Sequence, residues 1–314
     1  MMSSAMSLQA TNCKRFAIAA RLLLEDLRAF IQCSGITVMR HPSRIIFITL
    51  TAMALAMPVG AAEKPLFELG LVGGGGYLPD YPGAGQNHFK AIVLPFPVYR
   101  GKIFRADGKG LRGRVVYSRD FELDISLGGS FDAESDDNEA RRGMPDLDHM
   151  VELGPRVQWT VARAARLAKV DLELPLRAVF STDFSSIEHQ GFLLEPQVAY
   201  QHGNFLESGV KLKLGLSAAI ADEDLQDYLY QVDPRFATAT RRAYNAAGSY
   251  LGSRLRLSLL RPLSRRLKLF LASDINSHHG AANESGPLFR EKFVYGLGLG
   301  LIWSFYQSDR MVDE

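Results

Sequence analysis

The sequence predicts an all-β chain, an antiparallel transmembrane β-barrel of the outer-membrane type with about twelve strands. Three observations carry that prediction. Apolar and polar residues alternate through most of the chain after Phe67, which is the period of a strand and not of a helix. The alternating runs are ~9 to 12 residues long, whereas strands of soluble proteins cluster near five or six, and a tilted strand of ~9 to 11 residues crosses a bilayer. Ahead of them stands a segment laid out for export. A soluble periplasmic sandwich is the competing architecture, and strand length weighs against it.

The export segment is MRHPSRIIFITLTAMALAMPVGAAE. Arg40, His41 and Arg44 precede an apolar run from Ile45 to Met57, and small residues follow to Ala61 and Ala62, the layout of a secretory signal peptide. Met39 is then the expected initiator, with 1–38 an upstream segment, 39–62 the signal and 63–314 a single barrel domain. The alternative is a genuine leader in TNCKRFAIAARLLLEDLRAFIQCSG, which has a weak helical period. Cys13 and Cys33 both precede Glu63, so the exported chain has no thiol for a disulfide or a thiolate metal site. Six of the 36 Lys and Arg and two of the 34 Asp and Glu also precede it, leaving 30 bases and 32 acids. That balance lacks the basic stripe a nucleic-acid partner needs.

The strands follow in order. Phe67, Leu69, Leu71, Gly73, Gly75 and Tyr77 share one face of the first. In FELDISLGGSF, Phe121, Leu123, Ile125 and Leu127 oppose Glu122, Asp124 and Ser126. Val151, Leu153, Val157, Trp159 and Val161 oppose Glu152, Arg156, Gln158 and Thr160; Val170, Leu172, Leu174, Leu176 and Ala178 oppose Asp171, Glu173 and Arg177. Further on, leucines alternate with Lys211 and Lys213, with Arg254 and Arg256, and with Lys268 and Asp274. In the last strand Tyr295, Leu297, Leu299, Leu301, Trp303 and Phe305 oppose Gly296, Gly298, Gly300 and Ser304. Apolar faces belong against lipid and polar faces inside, with Trp159, Tyr295, Trp303 and Phe305 as membrane-interface aromatics.

Connections alternate long and short, as barrels with long outer loops and short periplasmic turns require. The long ones are Ser277 to Lys292, Asp222 to Ala246 and Asp132 to His149, with Thr182 to Gly191 of medium length. Both termini then lie in the periplasm and the strand count is even. Pro95 and Pro97 cannot donate to a ladder, and residues two apart face the same neighbour, so one side of their strand is expected to carry a bulge, a rim position or a loose seam.

Chemistry is sparse. The run LVGGGGYLPDYPGAG matches neither G-x-G-x-x-G nor a P-loop, because Leu78 interrupts it and Pro79 and Pro82 prevent an immediate helix. No G-x-S-x-G or H-E-x-x-H pattern occurs. His278 and His279 read as a solvated outer loop. Asp183, His189 and His202 could gather at a rim as in barrel hydrolases, but their spacing does not demand it. The loop DAESDDNEARR reads as a solvated surface, with divalent-cation binding near lipopolysaccharide as the alternative. No catalytic, cofactor or metal residue is therefore expected. Inward charges are mainly acidic on three consecutive strands (Glu122, Asp124, Glu152, Asp171, Glu173, with Arg156 and Arg177). They are basic later (Lys211, Lys213, Arg254, Arg256, Lys268). Opposed walls would set a field across a pore; in a narrow interior the same charges would form a salt-bridged plug.

YPGAGQNHFKAIVLPFPVYRGKIFRADGKGL, YLYQVDP with AYNAAGSY, and ESGPLFREKFVYGLGLGLIWSF resemble the MltA-interacting protein (MipA/OmpV) family of Gram-negative outer-membrane proteins. The likeness spans nearly all of the chain after residue 63. It rests on Tyr81-Pro82-Gly83, Pro95-Phe96-Pro97, Tyr230 with Val232, and Gly286-Pro287-Leu288, with Gln231-Val232 in place of the usual Gly-Val. The resemblance implies a non-enzymatic scaffold that brings a lytic transglycosylase together with a bifunctional murein synthase, in contact with outer-membrane lipid and lipopolysaccharide. A porin-like channel with a charge-segregated lumen is the alternative.

Overall fold

The computed structural model describes residues 64–312 apart from 101–103, 108–109, 114–115, 119 and 166. The export segment, Met39 and both cysteines lie outside the described residues. The strands are β1 (Lys64–Pro65), β2 (Phe67–Pro79), β3 (Asn87–Arg100), β4 (Phe104–Asp107), β5 (Gly110–Gly113), β6 (Val116–Tyr117), β7 (Phe121–Ser130) and β8 (His149–Ala165). There follow β9 (Ala168–Thr182), β10 (Ile187–Leu194), β11 (Gln197–Phe205), β12 (Val210–Ala221), β13 (Ser249–Pro262), β14 (Leu267–Ser277), β15 (Phe293–Gln307) and β16 (Met311–Val312). One helix, α1 (Glu223–Tyr230), follows β12.

All pairings are antiparallel, and fourteen strand segments form one sheet in the order β5-β4-β3-β2-β15-β14-β13-β12-β10-β9-β8-β7-β6, with β11 between β12 and β9. β10 and β11 are one stave broken at Glu195-Pro196, since both pair with β9 and β12. β5 and β6 follow each other along a second stave, so the fourteen segments occupy twelve places. The sheet's two ends, β5 and β6, are thus near neighbours in the chain, and β5 runs alongside β7. Among the described residues no ladder joins β5 to β7.

The first and last long strands meet at the seam. Gly74 pairs with Gly300 and Gly76 with Gly298. A Cβ on Gly76 would sit 2.5 Å from the Leu297 carbonyl oxygen, and one on Gly70 2.4 Å from that of Trp303, so side chains here would push the strands apart. Outward positions are the leucines, valines and aromatics of the alternating runs, and they are exposed or half-buried. Connections at one end are short. Those at the other are 80–86, 131–148, 222–248 and 278–292, with a four-residue turn at 183–186 where a longer loop was expected. The difference arises because Ile187–Leu194 continues the ladder through a bulge at Gly191, whose φ is +116°.

Pro95 and Pro97 lie where the expected loose seam requires. Arg100 donates its backbone N–H to Leu66, and register with β2 is unbroken from Phe67↔Tyr99 to Pro79↔Asn87. Even-numbered residues of β3 therefore face β2, and the odd-numbered prolines face the other side. There β4 matches only Tyr99 and Arg100.

Candidate functional site

The apolar core is in the loops, not in the barrel. Tyr81, Ala84, Ala133, Ala140, Leu147, Leu225, Leu229, Tyr230, Val232, Ala246 and Leu288 are buried together, and strand-end residues such as Val179 and Leu251 complete the cluster. Three of these loops, 80–86, 131–148 and 222–248, leave the sheet at evenly spaced positions: β15 and β14 stand between the first and third, β9 and the β10–β11 stave between the third and second. Segments spaced this way around a ring touch one another only by reaching over its mouth.

They touch through the family-motif residues. The Tyr230 hydroxyl donates to the Pro82 carbonyl (2.6 Å), and the Tyr81 hydroxyl donates to that of Leu288 (2.7 Å). The two rings meet edge to face at 6.3 Å. Gly83 has φ +76°, and its carbonyl accepts from the amides of Arg290 and Glu291; a Cβ there would sit 2.8 Å from the Phe289 ring. Gly286 closes a turn onto Asn283, and Pro287 delivers Leu288, which is fully buried. Val232 bridges to Tyr244. Of the motif residues only Pro95, Phe96 and Pro97 lie elsewhere, on β3.

Sequence reasoning missed the polar residues that lock this cap. Arg141 lies 5.8 Å over the Tyr81 ring and donates to the carbonyls of Leu229 (3.0 Å) and Pro145 (3.1 Å). Arg241 donates to the carbonyls of Ala140, Arg142 and Phe236. Asn283 donates to Gln226 (2.5 Å) and to the Ala247 carbonyl, and accepts from the Ala247 amide and the Tyr244 hydroxyl. These are buried polar groups with their partners supplied, as a buried network must be. Burial pushes the Tyr81 phenol up to about 12, the cations of Arg141 and Arg290 opposing, and pushes Tyr230 higher still. One signal was available: Asp222 caps α1 by accepting from the Leu225 amide (3.1 Å), and Leu225 and Leu229 are spaced i, i+4 along one face.

Two expectations need correction. The acidic loop is solvated along one side only: Glu134, Asp136, Asp137 and Glu139 are exposed, but Ala133, Ser135, Asn138, Ala140 and Arg141 are buried, and Asn138 donates to Asp80 (2.7 Å) while Gln86 bonds the backbone of Asp137 and Glu139. Its acids alternate with residues turned into the cap. His278 is also buried, its Nδ1 donating to the Leu251 carbonyl (2.8 Å), and burial lowers its pKa; His279 alone is exposed. Asp183, His189 and His202 do not gather. Asp183 is bonded by Ser185 and Ser186 in the β9–β10 turn, His189 lies between the Phe180 and Phe192 rings, and His202 lies beside Phe205.

The charged side chains of the alternating runs pair with one another and do not range acids against bases. Arg156 grips Asp124 with two bonds (2.9 and 2.6 Å), stands 3.8 Å from Glu173, and Glu173 in turn meets Lys213 (2.9 Å). A second chain runs Glu152, Arg177, Glu195, Arg254, Asn276, with Glu152 to Arg177 at 2.9 Å and Arg254 to Asn276 at 2.7 Å. Asp171 takes Lys169 (2.7 Å), Thr160, Gln158 and Gln201; Arg256 takes Asp274 (2.5 Å). Apart from Lys169–Asp171, which lies within β9, these ion pairs are lateral, between neighbouring or next-neighbouring strands. The reason is register: Asp124 stands opposite Arg156, and Arg256 opposite Asp274. Exposure still differs. Asp124, Asp171 and Glu173 are buried, as is Glu122, while Lys213, Arg254 and Arg256 keep 36–48% of their side-chain surface and Lys211 is exposed; Lys268 is half-buried. Trp159, Tyr295, Trp303 and Phe305 are all exposed on the outward face.

The chain matches the family model described as MltA-interacting protein MipA over residues 70–305. It belongs to that family. Among solved structures it is similar to an outer-membrane channel from Pseudomonas putida F1 (14% identity, TM-score 0.41, covering 80% of this chain and 100% of that one). It is also similar to the outer-membrane channel DcaP of Acinetobacter baumannii (9%, 0.35, 80% and 99%) and to outer-membrane phospholipase A from Escherichia coli (10%, 0.32, 77% and 94%). No curated protein matches the chain in sequence. Family and fold together make it an outer-membrane β-barrel protein.

Proposed function

We propose that the protein is a non-enzymatic scaffold, closed toward the cell exterior by its loop cap, which works at its periplasmic end by holding a lytic transglycosylase beside a bifunctional murein synthase. One observation carries this: three evenly spaced loops meet over the mouth through Tyr81, Tyr230 and Arg141, which leaves the short-turn end as the free working surface. The family's name supports the first partner. At the short-turn end β1 pairs with β16, Leu66 donates to the Arg310 carbonyl, and Arg100 ties Pro65 (2.6 Å) and Glu68 (2.6 Å). The segments before β2 and after β15 thus add one ribbon to the otherwise short turns of this end, enlarging what a partner can touch. The outward apolar face takes outer-membrane lipid, with lipopolysaccharide at its outer rim.

The test is copurification of murein hydrolase and synthase with the full-length barrel and with a chain ended at Gln307. Loss of both enzymes on removing the tail is expected; undiminished capture would sink the scaffold. A channel is the second reading, favoured by the part-exposed Lys213, Arg254 and Arg256. Planar-bilayer recording separates the two. The scaffold predicts no steady current, whereas a current whose selectivity changes on reversing Lys211, Lys213, Arg254 and Arg256 would establish the pore.

A further inference from the structure

The outward wall is recessed where α1 leaves it. β12 ends at Ala221 because Asp222 caps α1, while β10 continues past that level toward the cap, paired only with β9 among the described residues. The Asp222 amide donates to the Phe192 carbonyl (3.2 Å), which fixes the start of α1 to the edge of β10. Two glycines make room for this first turn. A Cβ on Gly191 would collide with the Asp222 carboxylate, and one on Gly248 would sit 2.5 Å from the Glu223 amide nitrogen.

Beside this step lies a groove of about 450 Å³, open on the outward face. Register sets Leu176, Leu194 and Ile220 in one lateral row, and Phe192 shares their face one step nearer the cap. Leu176, Phe192 and Ile220 keep 41–48% of their surface, and Leu194 is half-buried between them. The Phe192 ring is held by the His189 ring, with centroids 5.0 Å apart. Toward the cap the groove ends at Glu223 and Ser249, both exposed. Asp222 turns its carboxylate to the Leu225 amide, whereas that of Glu223 has no partner among the described residues.

Four apolar side chains leading to a polar end suit an amphiphile. Because the groove continues the lipid-facing side of the wall, hydrocarbon fills it: an empty recess forfeits the dispersion contacts of its lining. Its volume takes a single acyl chain and not the several of a whole lipid. The polar end then selects among chains. A carboxylate only accepts, so Glu223 favours a chain whose first carbons carry a donor, an amide N–H or a β-hydroxyl. A glycerol ester offers acceptors alone and would leave that end unpaired.

We propose that this groove binds one β-hydroxyacyl amide chain of lipid A, with Glu223 and Ser249 at its head and Leu176, Phe192, Leu194 and Ile220 along its tail. The bound chain buttresses the first turn of α1 and so ties the cap to the lipid around it. Placing the groove in the outer leaflet rests on the cap lying outside, as the scaffold reading has it; the match between groove and chain does not.

Native mass spectrometry of the folded full-length protein in detergent, with lipid A or phosphatidylethanolamine added, tests the site. One lipid A per barrel should survive activation that strips phosphatidylethanolamine. Leu194→Trp fills the groove and should abolish that adduct, while Leu299→Trp, outward on β15, should keep it. If Leu194→Trp loses the heat-modifiable folded band, Glu223→Ala takes its place, and lipid A retention should then fall to that of phosphatidylethanolamine. Equal retention of the two lipids by the wild type, or a lipid A adduct unchanged in the folded groove variant, would overturn the proposal. The readout does not involve the tail after Gln307, so failure here leaves the scaffold standing, and enzyme capture can fail without touching this site.

Discussion

The cap and the barrel wall are built by the same chain under opposite rules. In the wall, apolar side chains point outward and carboxylates and guanidinium groups point in, tied laterally by strand register. In the cap, Leu225, Leu229, Tyr230 and Leu288 point inward and the charges mostly rim the outside, as in a small soluble domain. Each region answers to the medium against it, hydrocarbon in one case and water in the other. The two should therefore fail separately, the wall through uncompensated charge and the cap through lost packing and lost hydrogen bonds.

The largest effect is expected in the wall. Arg156→Met leaves Asp124, which is 1% exposed, without its bidentate partner. Removing one member of a buried pair costs about 3–5 kcal/mol. A lowered urea midpoint of the heat-modifiable folded band is the readout, and Asp124→Leu in the same chain should restore much of it. A wall unaffected by Arg156→Met would mean that water already screens this pair.

Next is the cap. Tyr230→Phe removes the bond to Pro82 and leaves that carbonyl without its donor, at about 1–3 kcal/mol. Protease cleavage within 222–248 should rise while the folded band stays unchanged. The same contact gives the cap a pH limit. Burial raises the Tyr81 and Tyr230 phenols above their usual value, so the neutral forms stabilise the cap fully below the ordinary phenol pKa of about 10. That stability is lost as pH rises through the raised value of about 12 for Tyr81. Protease sensitivity of the cap should accordingly appear above pH ~10 before the barrel opens. Simultaneous loss of both would show that the regions are coupled. The smallest effect is Asp222→Ala, which deletes the α1 cap at about 0.5–2 kcal/mol, seen as faster amide exchange of Leu225 with the wall unmoved.

The wall was legible because a period of two needs no partner to be seen. Val170 to Ala178 and Tyr295 to Phe305 announce their faces from spacing alone, and the even count follows from loops that alternate in length. The cap was not legible, since loops have no period. Its residues are scattered from Tyr81 to Leu288, and the hydrogen bonds that join them span up to 207 positions. His278 and the acidic loop read as solvated because a polar residue in a loop is usually wet, and only the neighbouring loops take that water away.

By itself, then, the sequence determined the barrel, the sidedness of each strand and the position of the weak seam at Pro95 and Pro97. These depend on local backbone chemistry and on the solvent each face meets. Only the tertiary structure decided which charge pairs with which, because register brings Asp124 to Arg156 and Arg256 to Asp274 instead of ranging acids against bases. It alone assembled the cap as well, because burial there exists only once segments from evenly spaced strands have met.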